Sequence, residues 1–126
     1  ERRARLDFRD AHTMRLHRSL DLPQCKGVDH MDFSADGRLA LASCEFAGRV
    51  AVIDVAHERL LKMISLRPGA MPQDVKLSPD GRLFYVADMA SNGVWTIDAR
   101  RMRKTGFIEL ADPGRYMEIV DRDVYR

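Results

Sequence analysis

Apolar and polar positions along this chain fall into short runs separated by Asp-Gly, Asn-Gly and Pro-Gly pairs. The clearest stretch is 75–98, VKLSPDGRLFYVADMASNGVWTID. It predicts a strand, an Asp-Gly turn, a second strand, an Asn-Gly turn and a third strand. Asp tolerates a tight turn and Gly supplies its positive φ, so these pairs mark hairpins. LFYVA is β-branched and aromatic and prefers a strand. A fainter copy, MDFSADGRLALASCEFAGRVAVID, occupies 31–54. Its Ala-rich LALAS could be read as helical, but its short length between turn signals favours a strand covered on both faces.

The two copies align without a gap. Asp36-Gly37 recurs at Asp80-Gly81, 44 residues on, and the same step carries Val50 to Val94, Ile53 to Ile97 and Asp54 to Asp98. Self-similarity at about 40–45 residues is the mark of a four-stranded propeller blade. The step sets the phase of the whole chain. It predicts strands at 5–9 and 14–22, as the second half of a blade (1–22). A complete blade follows (23–66), with strands near 27–33, 38–43, 49–54 and 60–66. A second complete blade spans 67–110, ending in strands at 94–98 and 103–110. The start of a degenerate blade is expected at 111–126, with an inner strand at 116–120. The fold class is therefore all-β, antiparallel blades of an incomplete β-propeller ring, about three blade-equivalents in one domain.

Composition agrees. With 45% apolar and 32% charged residues the chain resembles a globular protein, and a net charge of +2 points to no anionic partner. No apolar run is long enough to span a bilayer as a helix. The missing initiator Met suggests a processed or truncated start. Cys25 and Cys44 are expected to be free, partly buried thiols; a disulfide would need their Cα atoms within about 7 Å, which the sequence leaves open, and no Cys/His spacing suits a metal. Blades bury their faces against neighbours. Either the chain is a fragment of a longer ring, or several copies complete one. The arginine-rich start (Arg2, Arg3, Arg5, Arg9) is expected to be a solvated end.

The stretch SPDGRLFYVADMASNGVWTID, with Tyr85-Val86-Ala87-Asp88 at its core, resembles the YVTN-type repeat of bacterial propellers, a WD40-like, quinoprotein-like kind of unit. The resemblance covers roughly 27–110 and departs at Leu41-Ala42-Ser43-Cys44, which replaces the Tyr-Val core. It implies a propeller. Relatives include surface-layer propellers, quinoprotein-like domains, lactone hydrolases and a haem-binding propeller, so function follows from it only by analogy.

In propellers, ligands sit where loops enter the innermost strands. Here those stretches carry Asp29, His30, Gln73 and Asp74, with His30 and Asp74 one repeat apart. They are the candidate channel-facing residues, set against a plainer role in capping strands. His12, His17 and His57 read as rim residues. Asp10, Asp54 and Asp98 read as turn-starting acids that bond backbone two residues on. Arg100-Arg101-Met102-Arg103-Lys104 lacks stacking aromatics and reads as a solvated turn, so no nucleic-acid partner is expected. Trp95 reads as packing between blades. No catalytic, nucleotide-binding or metal motif is present. The favoured reading is a non-catalytic binding or scaffold segment with an unidentified protein or small-molecule partner and no cofactor. The alternative is part of a propeller enzyme: a lactone hydrolase with a divalent ion, or a quinone-dependent oxidoreductase. A haem-binding propeller is the third. Compartment is not legible.

Overall fold

A computed structural model of the chain describes residues 3–110. The expectation of a further blade at 111–126 lies outside the described residues. The architecture is all-β. A two-stranded sheet joins β1 (Arg5–Arg9) to β2 (Leu16–Asp21). A four-stranded sheet follows in the order β3 (Val28–Phe33), β4 (Leu39–Cys44), β5 (Arg49–Asp54), β6 (Arg59–Ser65). The second four-stranded sheet contains β7 (Pro72–Leu77), β8 (Leu83–Asp88), β9 (Gly93–Asp98) and β10 (Arg103–Glu109). Every pairing is antiparallel between consecutive strands. The LALAS run is strand β4, and a one-turn 3₁₀ helix, Glu45–Ala47, links it to β5.

The turns repeat as closely as the strands. Ser34 and Ser78 each donate to the following Asp, at 2.7 Å, and each receives the amide of the strand residue five positions on, at 3.0 Å. Gly37 and Gly81 hold φ of 70° and 73°. The recurrence extends to non-glycine residues in the left-handed region. Met14, Glu58 and Met102, each one repeat apart, have φ of 60°, 51° and 50°. Asn92, not Gly93, takes the positive φ in the Asn-Gly turn. Gly93 is needed for room, because a Cβ there would overlap the Phe107 ring.

Alternation within each strand divides the core. Leu41, Val50 and Val52 of one sheet meet Val75, Phe84, Val86, Trp95 and Ile97 of the next. Trp95 thus lies between blades, its ring 4.5 Å from that of Phe107 and covered by the Arg67 guanidinium at 4.7 Å. The other face of the first full blade carries Ala40, Ala51 and Ile53, and Leu6, Phe8 and Leu20 pack against it. The half-blade departs from the pattern on its far side. Where later blades bury Ala51 and Ile53, or Trp95 and Ile97, it has Asp7 and Arg9. Asp7 pairs with Arg5 at 3.0 Å and Arg9 at 3.4 Å and accepts from Ser19 at 2.8 Å.

The cysteines correct the expectation of free thiols. Cys25 and Cys44 form a disulfide, with Cα atoms 4.7 Å apart and both residues fully buried. The segment before β3 folds back on itself, with the Cys25 amide bonded to the Leu22 carbonyl at 2.8 Å. Val28 pairs with Cys44, which brings that segment to the end of β4. Linear separation alone could not reveal this approach.

Candidate functional site

The innermost strands of the two full blades, β3 and β7, lie side by side. Asp29 and His30 lie within β3, and Gln73 and Asp74 within β7, rather than in the loops that precede them. Both pairs fall at bulges. The register of β3 on β4 slips between Val28 and Met31, and that of β7 on β8 between Pro72 and Asp74. An extra residue re-aims the side chains around it, and such bulges are common beside functional sites.

His30 stands between two carboxylates. Its Nε2 is 3.7 Å from Asp29 and its Nδ1 is 3.9 Å from Asp74, and Lys76 lies 3.9 Å from the same Asp74 oxygen. The His30 and Asp74 side chains are roughly half exposed, and Asp29 is more covered. The Gln73 side chain is exposed, and its carbonyl takes part in the framework described next. Three of the four candidates therefore form one cluster.

Two residues that sequence reasoning passed over build the floor of this cluster. Ser43, fully buried, receives the His30 amide at 3.0 Å and reaches the carbonyls of His30 and Gln73, each at 3.2 Å. It ties the bulge of β3 to the neighbouring blade. Asp32 accepts the Leu77 amide at 2.7 Å, a second bridge from β3 to β7. That bond holds the Asp32 carboxyl below the usual range, against the opposing effect of partial burial. Neither had a sequence signal, because their equivalents one repeat on are Ala87 and Lys76.

The arrangement offers hydrogen bonds and charge from a mixed, mainly acidic edge. It does not fit a metal: among the described residues no group of three or more His, Cys, Asp or Glu is placed to hold one. The imidazole separates the Asp29 and Asp74 carboxylates instead of converging with them on a point. Nor does it fit haem through paired imidazoles, since the other histidines, His12, His17 and His57, lie at the opposite rim. There His17 pairs with Glu58 at 2.6 Å and His57 with Asp54 at 2.8 Å.

The recurrent acids start turns. Asp10 accepts the amides of Thr13 and His12, Asp54 that of His57, and Asp98 those of Arg101 and Arg100. These amide bonds hold all three carboxyls below the ordinary aspartate value. The basic run after Asp98 wraps this turn: Arg101 lies 3.8 Å from Asp98, Met102 is buried, and Lys104 bonds the Leu66 carbonyl at 2.6 Å. Protonation must break the acids' interactions in the folded chain, while the unfolded chain takes up protons near the ordinary aspartate value of about 3.9. Their contribution is thus complete above that value and lost as pH falls through the lower folded values. The urea midpoint is expected to be level from about pH 7 to 5 and to fall steadily below about pH 4. A midpoint that stayed level to about pH 2 would contradict this.

No family model matches the sequence, and no curated protein matches it. Solved structures do. The hydrazine synthase of Kuenenia stuttgartiensis superposes with a TM-score of 0.78 at 26% identity, over 86% of this chain and 30% of that one. The dihydro-heme d1 dehydrogenase NirN, in complex with DHE, superposes with a TM-score of 0.71 at 21% identity, over 90% and 24%. The periplasmic gluconolactonase PpgL of Pseudomonas aeruginosa gives 0.64 at 26% identity, over 74% and 29%. These are β-propeller proteins, and the chain spans less than a third of each. Its sheets are propeller blades.

Proposed function

We propose that the chain is a segment of a YVTN-type propeller that acts as a binding or scaffold module through the inner ends of its blades. Further blades, or further copies, complete the ring around it. The observation that carries the reading is the bulged edge where His30 sits between Asp29 and Asp74, with Gln73 beside them. Exposed polar groups on a buried hydrogen-bonded framework suit a small ligand bearing hydroxyl or cationic groups. Ligand-observed NMR of the intact ring with a panel of polyols, sugars and amines tests it. Replacing Asp29, His30, Gln73 and Asp74 by alanine together is expected to abolish whatever binding the panel reveals. Unchanged binding in that variant would remove the site from the proposal.

A second reading is favoured by the names of the structural neighbours, which include a dehydrogenase and a gluconolactonase. In it the chain is part of a propeller enzyme, either a lactone hydrolase or a quinone-dependent oxidoreductase. A divalent ion would then need ligands from blades beyond this chain. Metal analysis of the intact protein, with hydrolysis of glucono-lactone as the assay, separates the readings: a metal-free, inactive protein excludes the hydrolase.

A further inference from the structure

The two full blades turn differently between their second and third strands. In the second, Asp88 organises the turn by accepting the Ala90 and Ser91 amides. In the first, the 3₁₀ helix Glu45–Ala47 takes that place, with Phe46 where the next blade has Ala90. This helix touches both strands that carry the His30 cluster. Its amides reach back to the approach to β3, Glu45 to the Gly27 carbonyl at 2.9 Å and Phe46 to the Lys26 carbonyl at 3.0 Å. It also packs against β7, the strand of Gln73 and Asp74.

Phe46 is 62% exposed, yet its ring is seated. It lies against Gly27 so closely that a Cβ there would come within 2.6 Å of the ring. The segments on either side of it along the rim, 22–27 and 67–72, are both in place, and they leave its outer face open. A single exposed apolar side chain needs no explanation by itself. This one is held in position beside a polar cluster. Asp29 follows Gly27 by two residues, about 7 Å along an extended strand. Asp29 and Asp74 flank the His30 imidazole at 3.7 and 3.9 Å. Lys76 offsets part of the Asp74 charge, and Lys26 precedes Gly27. Asp29 is the better covered of the two acids and the closer to Gly27 in the chain. A carboxylate with less water around it attracts a cation more strongly. An aromatic face within reach of that carboxylate suits a molecule with a cationic end and an apolar body.

We infer that Phe46 is a specificity-determining wall of the His30 site, and that the site takes a primary amine bearing an aryl-sized apolar body. The ammonium lies at Asp29, and the body covers the open face of the Phe46 ring. This rests on the reading of the cluster as a binding site, and it narrows the ligand from hydroxyl or cationic compounds to one class.

Ligand-observed NMR titration of the intact protein with three probes tests it. Phenethylamine carries both features, ethylamine lacks the ring, and phenethyl alcohol lacks the charge. Covering one aromatic face is worth roughly a factor of ten in affinity. Phenethylamine is therefore expected to bind about tenfold more tightly than ethylamine, and more tightly than phenethyl alcohol. F46A should bring phenethylamine down to the level of ethylamine and leave ethylamine unchanged, while F46Y keeps the preference. D29N/D74N should weaken both amines and spare the alcohol. The comparison of probes on the wild-type protein needs no variant to fold. Equal binding of the two amines, a preference that survives in F46A, or no binding of either amine overturns the inference. The binding reading is judged apart from it. A sugar or polyol whose binding disappears when Asp29, His30, Gln73 and Asp74 are all replaced by alanine would uphold that reading even if no amine bound.

Discussion

Reducing the Cys25–Cys44 bridge is expected to lower the stability of the chain by about 3 kcal/mol, the value for closing a loop of about twenty residues. The bridged residues are 19 apart and fully buried. The bridge pins the segment before β3 to the end of β4, at the entrance to the strand that carries Asp29 and His30. The loss should appear as a lower urea midpoint, both in reductant and in a C25S/C44S double variant. Identical midpoints for oxidised, reduced and substituted chains would show that the bridge contributes nothing. Hydrogen exchange should rise first around Val28, since Val28 pairs directly with Cys44. Such a bridge persists where thiols are not kept reduced. Chain made in a reducing cytosol should therefore show the lower midpoint until it is oxidised.

How much of this was legible beforehand follows from what repetition can encode. The 44-residue step located the sheets because strand alternation and turn chemistry are local. Asp36-Gly37 and Asp80-Gly81 form the same turn whatever surrounds them. The departures lie where one copy does something its neighbour does not. Ser43 and Asp32 bridge blades only once, so no recurrence announced them. The disulfide depends on a distance between a loop and a strand end, which a linear reading does not contain. The candidate residues were legible as positions. Their placement on bulges was not, because a bulge is a mismatch between two strands and no single residue carries its signature. The charges at Asp7 and Arg9 were visible, but only burial in the folded chain showed that they stand where the next blade buries Ala51 and Ile53.

The bridge also explains why the strongest single substitution should be at Asp88. Cys44 and Asp88 occupy the same repeat position, and both fasten the segment ahead of an inner strand. Asp88 does so without a covalent bond: it accepts the Met71 amide at 2.9 Å, those of Ala90 and Ser91 at 3.2 Å, and the Trp95 Nε1–H at 2.8 Å. It is 2% exposed. Burial pushes its carboxyl upward, but the bonds from Ser91, Trp95 and Met71 outweigh this and leave it below the ordinary value. D88A would strand the buried indole N–H and leave a polar cavity between two sheets. Each orphaned donor costs about 1–3 kcal/mol, so a loss of about 3–4 kcal/mol is expected. D88N keeps an oxygen acceptor but replaces the other with a donor that cannot serve a second N–H. It should recover part of the loss and not all of it. Trp95 is the chain's one tryptophan, so its emission reports directly on the cavity. A red shift in folded D88A, with the urea midpoint falling in the order wild type, D88N, D88A, is the expected result. If D88N matched wild type, hydrogen-bond acceptance without charge would suffice. If D88A matched it, the indole and the Met71 amide must find other partners, and the carboxylate would not be the fastening that its four hydrogen bonds describe.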